Sequence, residues 1–220
     1  MKNISFIDSE QELAVGKILC LGQNYAAHIK EMRAEVPAFP VIFIKPPSAL
    51  ISGGANIILP KISHEVHHEV ELVAVIGKSG KNIPRSEALK HAAGYGVGLD
   101  MTLRDIQREA KKKGLPWAVA KGFDTSAPVS AMVSAHRIGN PQNLTISCRV
   151  NGVLRQRSST SAMIFSMDRI IEYLSSVFTL EAGDLIFTGT PEGVGEVKEG
   201  DTIEAELEGY VSISHFVQSA

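Results

Sequence analysis

The chain has only two cysteines, Cys20 and Cys148, far apart in sequence. That excludes a disulfide framework and any Cys-x-x-Cys metal or redox motif. It fits two buried free thiols in a reducing compartment, with the cytoplasm as the default. No apolar run approaches the ~20 residues of a membrane span. Met1 to Gly16 has no apolar signal-peptide core, and its acids argue against a transit peptide. Strong charge of one sign is also missing: the net charge is −2, with lysines and arginines scattered along the chain. Neither nucleic acid nor an anionic membrane is therefore expected as a partner. The one basic run, Lys111-Lys112-Lys113, falls at the end of an expected helix before Gly114, where the helix dipole favours cations.

What the chain does have is a set of three carboxylates. Glu69 and Glu71 stand two apart in His67-His68-Glu69-Val70-Glu71-Leu72-Val73-Ala74-Val75-Ile76, which reads as one strand. Residues i and i+2 share a strand face, so both acids are expected to emerge together, at the rim of a surface continued by Val73 and Val75. Asp100 ends a second expected strand, after the glycine-rich Gly94-Tyr95-Gly96-Val97-Gly98-Leu99. Alternating glutamates on a strand, taken alone, describe a solvated face. Apolar neighbours and a third acid point instead to a hard divalent cation, Mg2+ or Mn2+ before Ca2+. His67 and His68 are expected to hydrogen-bond around such a site rather than ligate. The acids alone also permit a non-catalytic module that binds Ca2+ or a small acid.

Short strands are expected at 17–22, 41–44, 56–60, 184–187 and in the tail from Thr202 to Val217. Asn151-Gly152 is a hairpin turn. Helices are expected from about Tyr25 to Met32, from Ser86 to Ala93, from Thr102 (as N-cap, with Asp105 near the capping-box position) to Lys113, and from Ser166 to Val177. No repeat or linker divides the chain. The fold class is α+β, predominantly β.

Six motifs then occur in order: Gly22-Gln23-Asn24-Tyr25-Ala26-Ala27-His28-Ile29-Lys30-Glu31-Met32, Phe43-Ile44-Lys45-Pro46, His68-Glu69-Val70-Glu71-Leu72, Leu99-Asp100-Met101-Thr102, Ala120-Lys121-Gly122-Phe123-Asp124, and Phe187-Thr188-Gly189-Thr190-Pro191-Glu192-Gly193-Val194-Gly195. Together they resemble the fumarylacetoacetate hydrolase family, and within it the small single-domain acylpyruvases that also act on oxaloacetate.

The resemblance implies a mixed β-sandwich roll with short helices, an N-terminal arm at 1–16 and one catalytic domain at 17–220, assembled as a homodimer. It implies Mg2+ or Mn2+ held by Glu69, Glu71 and Asp100. It assigns His28 and Glu31 to water activation, Lys121 to a place near the metal, and Arg104, Gln107 and Thr190 to a small keto-acid substrate. The implied reaction is hydrolysis of acylpyruvates to pyruvate and a carboxylic acid, with oxaloacetate decarboxylation. The family alternative is isomerisation, tautomerisation (of oxaloacetate included) or hydration of dioxo acids. Many relatives carry Arg where this chain has Gln23.

The residues themselves leave some roles open. The i, i+3 spacing of His28 and Glu31 also fits an exposed helical pair. Lys121, flanked by Trp117, Val119 and Phe123, is either an ion-pair strut or an electrophile. Arg104 and Gln107 share a helix face, and Arg suits a carboxylate through a bidentate contact. The 188–195 loop lacks the Gly-Lys-Ser/Thr ending of a phosphate loop. Its amides and the Thr190 hydroxyl suit a carboxylate.

Overall fold

The computed structural model describes residues 2–32 and 35–220. Its centre is a six-stranded sheet ordered Val133–Ser134, Ala92–Leu99, Val70–Ile76, Leu185–Phe187, Ile18–Gly22 and Val41–Lys45. All its pairs are antiparallel except Leu185–Phe187 with Ile18–Gly22. The strand Val70–Ile76 is buried at every position. Because side chains alternate faces, Leu72, Ala74 and Ile76 enter one core and Val73 and Val75 another.

The larger core is shared with a five-stranded sheet ordered Val153–Ser159, Thr145–Val150, Thr202–Leu207, Val211–Ser219 and Ile57–Leu59. Ile146, Ile203 and Leu207 of that sheet join it, as do Ile170, Ile171 and Leu174 of the helix Met167–Val177. The smaller core holds Phe187, Val129 and Met132. The N-terminal hairpin of Asn3–Ser5 and Glu12–Ala14 contributes Ile4 from its first strand, and Phe6 follows. Each such large apolar side chain contributes roughly 1.5–3 kcal/mol when buried, so the segment before residue 17 is held down by packing.

Glycines 94, 96 and 98 line one face of Ala92–Leu99, where neighbours come too close for side chains. A Cβ at Gly94 would lie 2.7 Å from the Val133 carbonyl oxygen, and one at Gly98 would lie 2.8 Å from Val73 and Phe187.

The architecture is the expected α+β with strands dominant. The Asn151-Gly152 hairpin has the two positive φ angles, 52° and 74°, of a type I′ turn. Three local expectations change. The acidic stretch is two strands, not one. Val66–His68 joins Thr102–Leu103 and Gly195–Val197 in a three-stranded sheet, while Val70–Ile76 belongs to the central sheet. Glu69 sits at the break, and the acids are buried rather than at a rim. Thr102 is not a helix cap: it pairs with His67, and the helix is Arg104–Lys113. The Asp105 carboxylate instead accepts from the Ser63 hydroxyl at 2.6 Å and the His64 amide at 3.0 Å. The helix expected at 86–93 shortens to Arg85–Ala88 and a 3-10 turn Leu89–His91, because Ala92 already pairs with Ile76.

Candidate metal centre and substrate cleft

Glu69 comes from the break between two sheets, Glu71 from the first turn of the side-chain alternation in the central strand, and Asp100 from the position just past Leu99. The Asp100 amide donates to the Glu69 carbonyl at 2.8 Å, which ties the two acid-bearing ends together. All three side chains are buried, and one ligand oxygen from each lies within 4.8 Å of the others. Among the described residues no other such cluster forms, and His67 and His68 are outside it.

Three cations face these three acids. The Lys121 ammonium lies 2.8 Å from Glu69 Oε2, 2.5 Å from Asp100 Oδ2 and 2.6 Å from the Thr102 hydroxyl. The Arg104 guanidinium donates to Glu69 Oε1. Lys45, fully buried, lies 2.8 Å from Asp100 Oδ1 and donates to the carbonyls of Ser126 at 2.9 Å, Met101 at 3.2 Å and Lys121.

Compensation is uneven. Burial opposes ionisation of Glu69, but Lys121 and Arg104 outweigh it and hold that carboxyl well below the usual range. Burial, with the charges of Asp100 and Glu69, pushes the Glu71 carboxyl well above it. Glu71 has one backbone donor, the Gly189 amide at 2.7 Å. Asp100 Oδ1 accepts no hydrogen bond and has the charge of Lys45 beside it. A buried carboxylate oxygen that accepts no hydrogen bond, a glutamate short of counter-charge and an all-oxygen donor set fit a hard divalent metal.

The short helix Ala26–Glu31 carries the second group. His28 Nδ1 lies 3.1 Å from Glu31 Oε2, and the Glu31 carboxylate also accepts from the Gly193 amide at 3.1 Å. The amides of the glycine-rich loop thus hold the chain's own carboxylates, Glu71 through Gly189 and Glu31 through Gly193. Asn24 anchors the helix start: its amide donates to the carbonyls of Thr188 and Phe165, and its oxygen accepts from the Phe165 amide.

One cleft is lined by His28, Glu69, Glu71, Arg104, Gln107, Lys121 and Thr190, so of the nine residues proposed from sequence only Glu31 and Asp100 are not on its wall. Each of those two is bonded to a residue that is. Arg104 is already engaged: besides Glu69, it donates to Gln107 Oε1 at 2.7 Å, which leaves the Gln107 amide hydrogens for a ligand. Gln23, at φ 60°, and Trp117 also line the cleft. Lys111, read as a dipole-compensating surface charge, lines it too and stacks over Trp117 at 5.0 Å.

Lys45 was not foreseen as part of this cluster. Its signs in the sequence are the Phe43-Ile44-Lys45-Pro46 motif, to which no role was attached, and its place closing the apolar strand Val41–Lys45 just before Pro46-Pro47. Gln156 was also missed, and nothing in its arginine-flanked hairpin strand marks it.

Fold and site together define an α+β protein with a buried Glu-Glu-Asp group that fits a divalent metal. A family model described as the fumarylacetoacetate (FAA) hydrolase C-terminal domain matches residues 17–218, and the chain belongs to that family. It is 52% identical over 196 residues to the Mus musculus protein named oxaloacetate tautomerase FAHD1, mitochondrial, covering 89% of each chain. The structure of fumarylpyruvate hydrolase from Pseudomonas aeruginosa, in complex with Mn2+ and pyruvate, superposes with a TM-score of 0.94. That pair is 39% identical, over 100% of this chain and 96% of the other. The 5-carboxymethyl-2-hydroxymuconate delta-isomerase of Mycobacterium smegmatis follows at TM-score 0.85 and 39% identity, over 94% and 80%.

Proposed function

We propose that the chain is a divalent-metal-dependent enzyme acting on oxaloacetate and related 2,4-dioxo acids, and that its reactions share the enolisation of a pyruvate unit. The observation that carries this is the convergence of Glu69, Glu71 and Asp100 on one another, with the two glutamates on the wall of the cleft that His28, Arg104 and Lys121 also line. When bound, Mg2+ or Mn2+ supplies Lewis-acid stabilisation of the charge that develops on the substrate's 2-oxo oxygen.

The chain's own groups do the rest. Gln107 and Arg104 bind and orient the substrate carboxylate. Lys121 adds positive charge beside the same three acids. Glu31 holds His28 Nδ1, which leaves Nε2 to exchange a proton with the bound molecule.

In tautomerisation, His28 takes a proton from C3 of the keto form and the 2-oxo oxygen gains one. In hydrolysis, His28 takes the proton of water as its oxygen attacks C4. The C3–C4 bond then breaks, its electron pair stays with the pyruvate enolate, and C3 is protonated to leave pyruvate and a carboxylic acid. Decarboxylation of oxaloacetate reaches the same enolate without attacking water.

Tautomerisation of oxaloacetate is supported by the name of the mouse relative at 52% identity. Hydrolysis is supported by the His28–Glu31 pair and by the fumarylpyruvate hydrolase at 39%. The experiment follows decay of the oxaloacetate enol absorbance, and separately pyruvate and acetate release from acetylpyruvate, with Mg2+, Mn2+ or a chelator. Metal-dependent turnover of at least one substrate is expected; none of either would end the proposal. The homodimer is also part of it, and light scattering at twice the 23.7 kDa chain mass tests that. No helix among the described residues is long and apolar enough to cross a membrane. The buried free thiols Cys20 and Cys148 support a reducing compartment such as the cytoplasm.

A further inference from the structure

Gln156 lies in the strand Val153–Ser159 of the five-stranded sheet, yet its buried amide reaches the metal-site strand and the glycine-rich loop at once. Its Oε1 is 3.0 Å from the Val70 amide, between the two glutamates, and 2.9 Å from His68 Nδ1. Its Nε2 is 2.8 Å from Thr190 Oγ1 and 2.9 Å from the Pro191 carbonyl.

The direction of every bond in this group is determined. A backbone amide only donates, so the atom facing Val70 is the oxygen. A backbone carbonyl only accepts, so the atom facing Pro191 is the nitrogen. His68 Nδ1 must then carry the ring proton to donate to Oε1. The other Nε2 hydrogen goes to Thr190 Oγ1, which accepts it. The hydroxyl proton of Thr190 is left over, and Thr190 lines the cleft.

We propose that Gln156 is a positioning residue of the site, which fixes the Thr190 hydroxyl as a hydrogen-bond donor to the bound keto acid and sets the distance between its loop and the Glu69–Glu71 segment. The proposal rests on the functional reading above, since that reading places the substrate in this cleft. Gly193 shows how closely the loop is seated: a Cβ there would lie 2.2 Å from the Arg155 carbonyl oxygen and 3.3 Å from Gln156 Cγ. The loop position that holds Glu31 is thus built against the residue that orients Thr190.

The test is a double-mutant cycle on pyruvate affinity, read by calorimetry with the Mg2+-loaded protein. Thr190→Val should weaken pyruvate about tenfold, the loss of one donor. Gln156→Met should weaken it several-fold, and the double variant should be no weaker than Thr190→Val alone. Mg2+ affinity should stay within about threefold throughout, since no ligand is removed. Effects that multiply in the double variant, or a Gln156→Met protein with wild-type pyruvate affinity, would overturn the proposal.

A second measurement needs no variant. Nitrogen-15 NMR of the wild type at about pH 8, where the ring is neutral, should show His68 protonated on Nδ1. Protonation on Nε2 would overturn the assigned orientation even if Gln156→Met does not fold. Should the wild type turn over neither oxaloacetate nor acetylpyruvate, the reaction assignment fails, while the pyruvate cycle and the His68 tautomer still decide the role of Gln156.

Discussion

The Lys45 ammonium lies 2.8 Å from Asp100 Oδ1, and both side chains are shut off from solvent. Lys45 also ties down three backbone carbonyls, those of Met101, Lys121 and Ser126. Lys45→Met removes the charge while keeping most of the volume. It leaves Asp100 with Lys121 as its one bonded cation and the Met101 carbonyl without its donor, so a loss of about 3–5 kcal/mol is expected by urea unfolding of the metal-free protein. A loss under about 1 kcal/mol would show that the lysine is dispensable to the fold.

Glu69 and Glu71, two residues apart, should respond in opposite senses. Glu69 neutralises Lys121 and Arg104, so Glu69→Gln should destabilise the metal-free protein by about 3 kcal/mol. Glu71 is repelled by Asp100 and Glu69, so Glu71→Gln should leave the metal-free protein as stable or raise its melting temperature. Both substitutions should abolish divalent binding in calorimetry. The raised Glu71 value also fixes a pH dependence. A carboxyl that ionises less readily folded than unfolded costs stability as pH rises from the ordinary carboxylate range through its folded value. A bound cation reverses that sign, so the melting-temperature gain from Mn2+ should grow with pH. A gain that is flat or shrinks with pH would contradict this account of Glu71.

The Glu69–Glu71–Asp100 group is legible in the sequence because its signals are local. A Glu-x-Glu pair in a β-branched stretch and an Asp closing a glycine-rich strand each carry their own signal. Of the partners of these acids, Lys121 is legible as one of two alternatives, an ion-pair strut or an electrophile, and the structure shows it paired with Glu69 and Asp100. The reach of Lys45 and Gln156 into the site is not legible, since both arrive from strands distant in sequence. Thr102 shows the opposite failure. A threonine ahead of a helical pattern reads as a cap, but pairing with His67 draws it into a strand, where its hydroxyl accepts from Lys121. Likewise Glu69 and Glu71 looked like one strand because the sheet change between them leaves no mark on the alternation.

His28 and Glu31 should separate the candidate reactions. His28→Ala removes the proton acceptor, and acetylpyruvate hydrolysis should fall by about 10²–10⁴-fold. Oxaloacetate decarboxylation, which needs no activated water, should fall much less. Glu31→Gln should follow the same pattern more mildly, because an amide still accepts from the Gly193 amide. Equal losses in both reactions, measured as pyruvate release, would remove the pair from water activation.

Acid sensitivity of the fold should trace in part to His215, far from the metal centre. Its Nδ1 lies 2.6 Å from the Ala55 carbonyl, and its buried Nε2 has no partner. The neutral ring donates through Nδ1 and leaves only an idle acceptor. A charged ring would bury an N–H with nothing to receive it, and burial accordingly holds the His215 value below the usual histidine range despite the Ala55 carbonyl. Unfolded, the ring takes up a proton near pH ~6.5. The contribution is therefore complete above that pH and is lost as pH falls toward the folded value, at no more than about 1.4 kcal/mol per pH unit. His215→Asn keeps a donor for Ala55 and cannot ionise. Urea unfolding of the two proteins from about pH 8 down to pH 5 should show a shallower decline for the variant. Parallel declines would assign the acid sensitivity to other groups, with His67 and His68, both also lowered by burial, the next to replace.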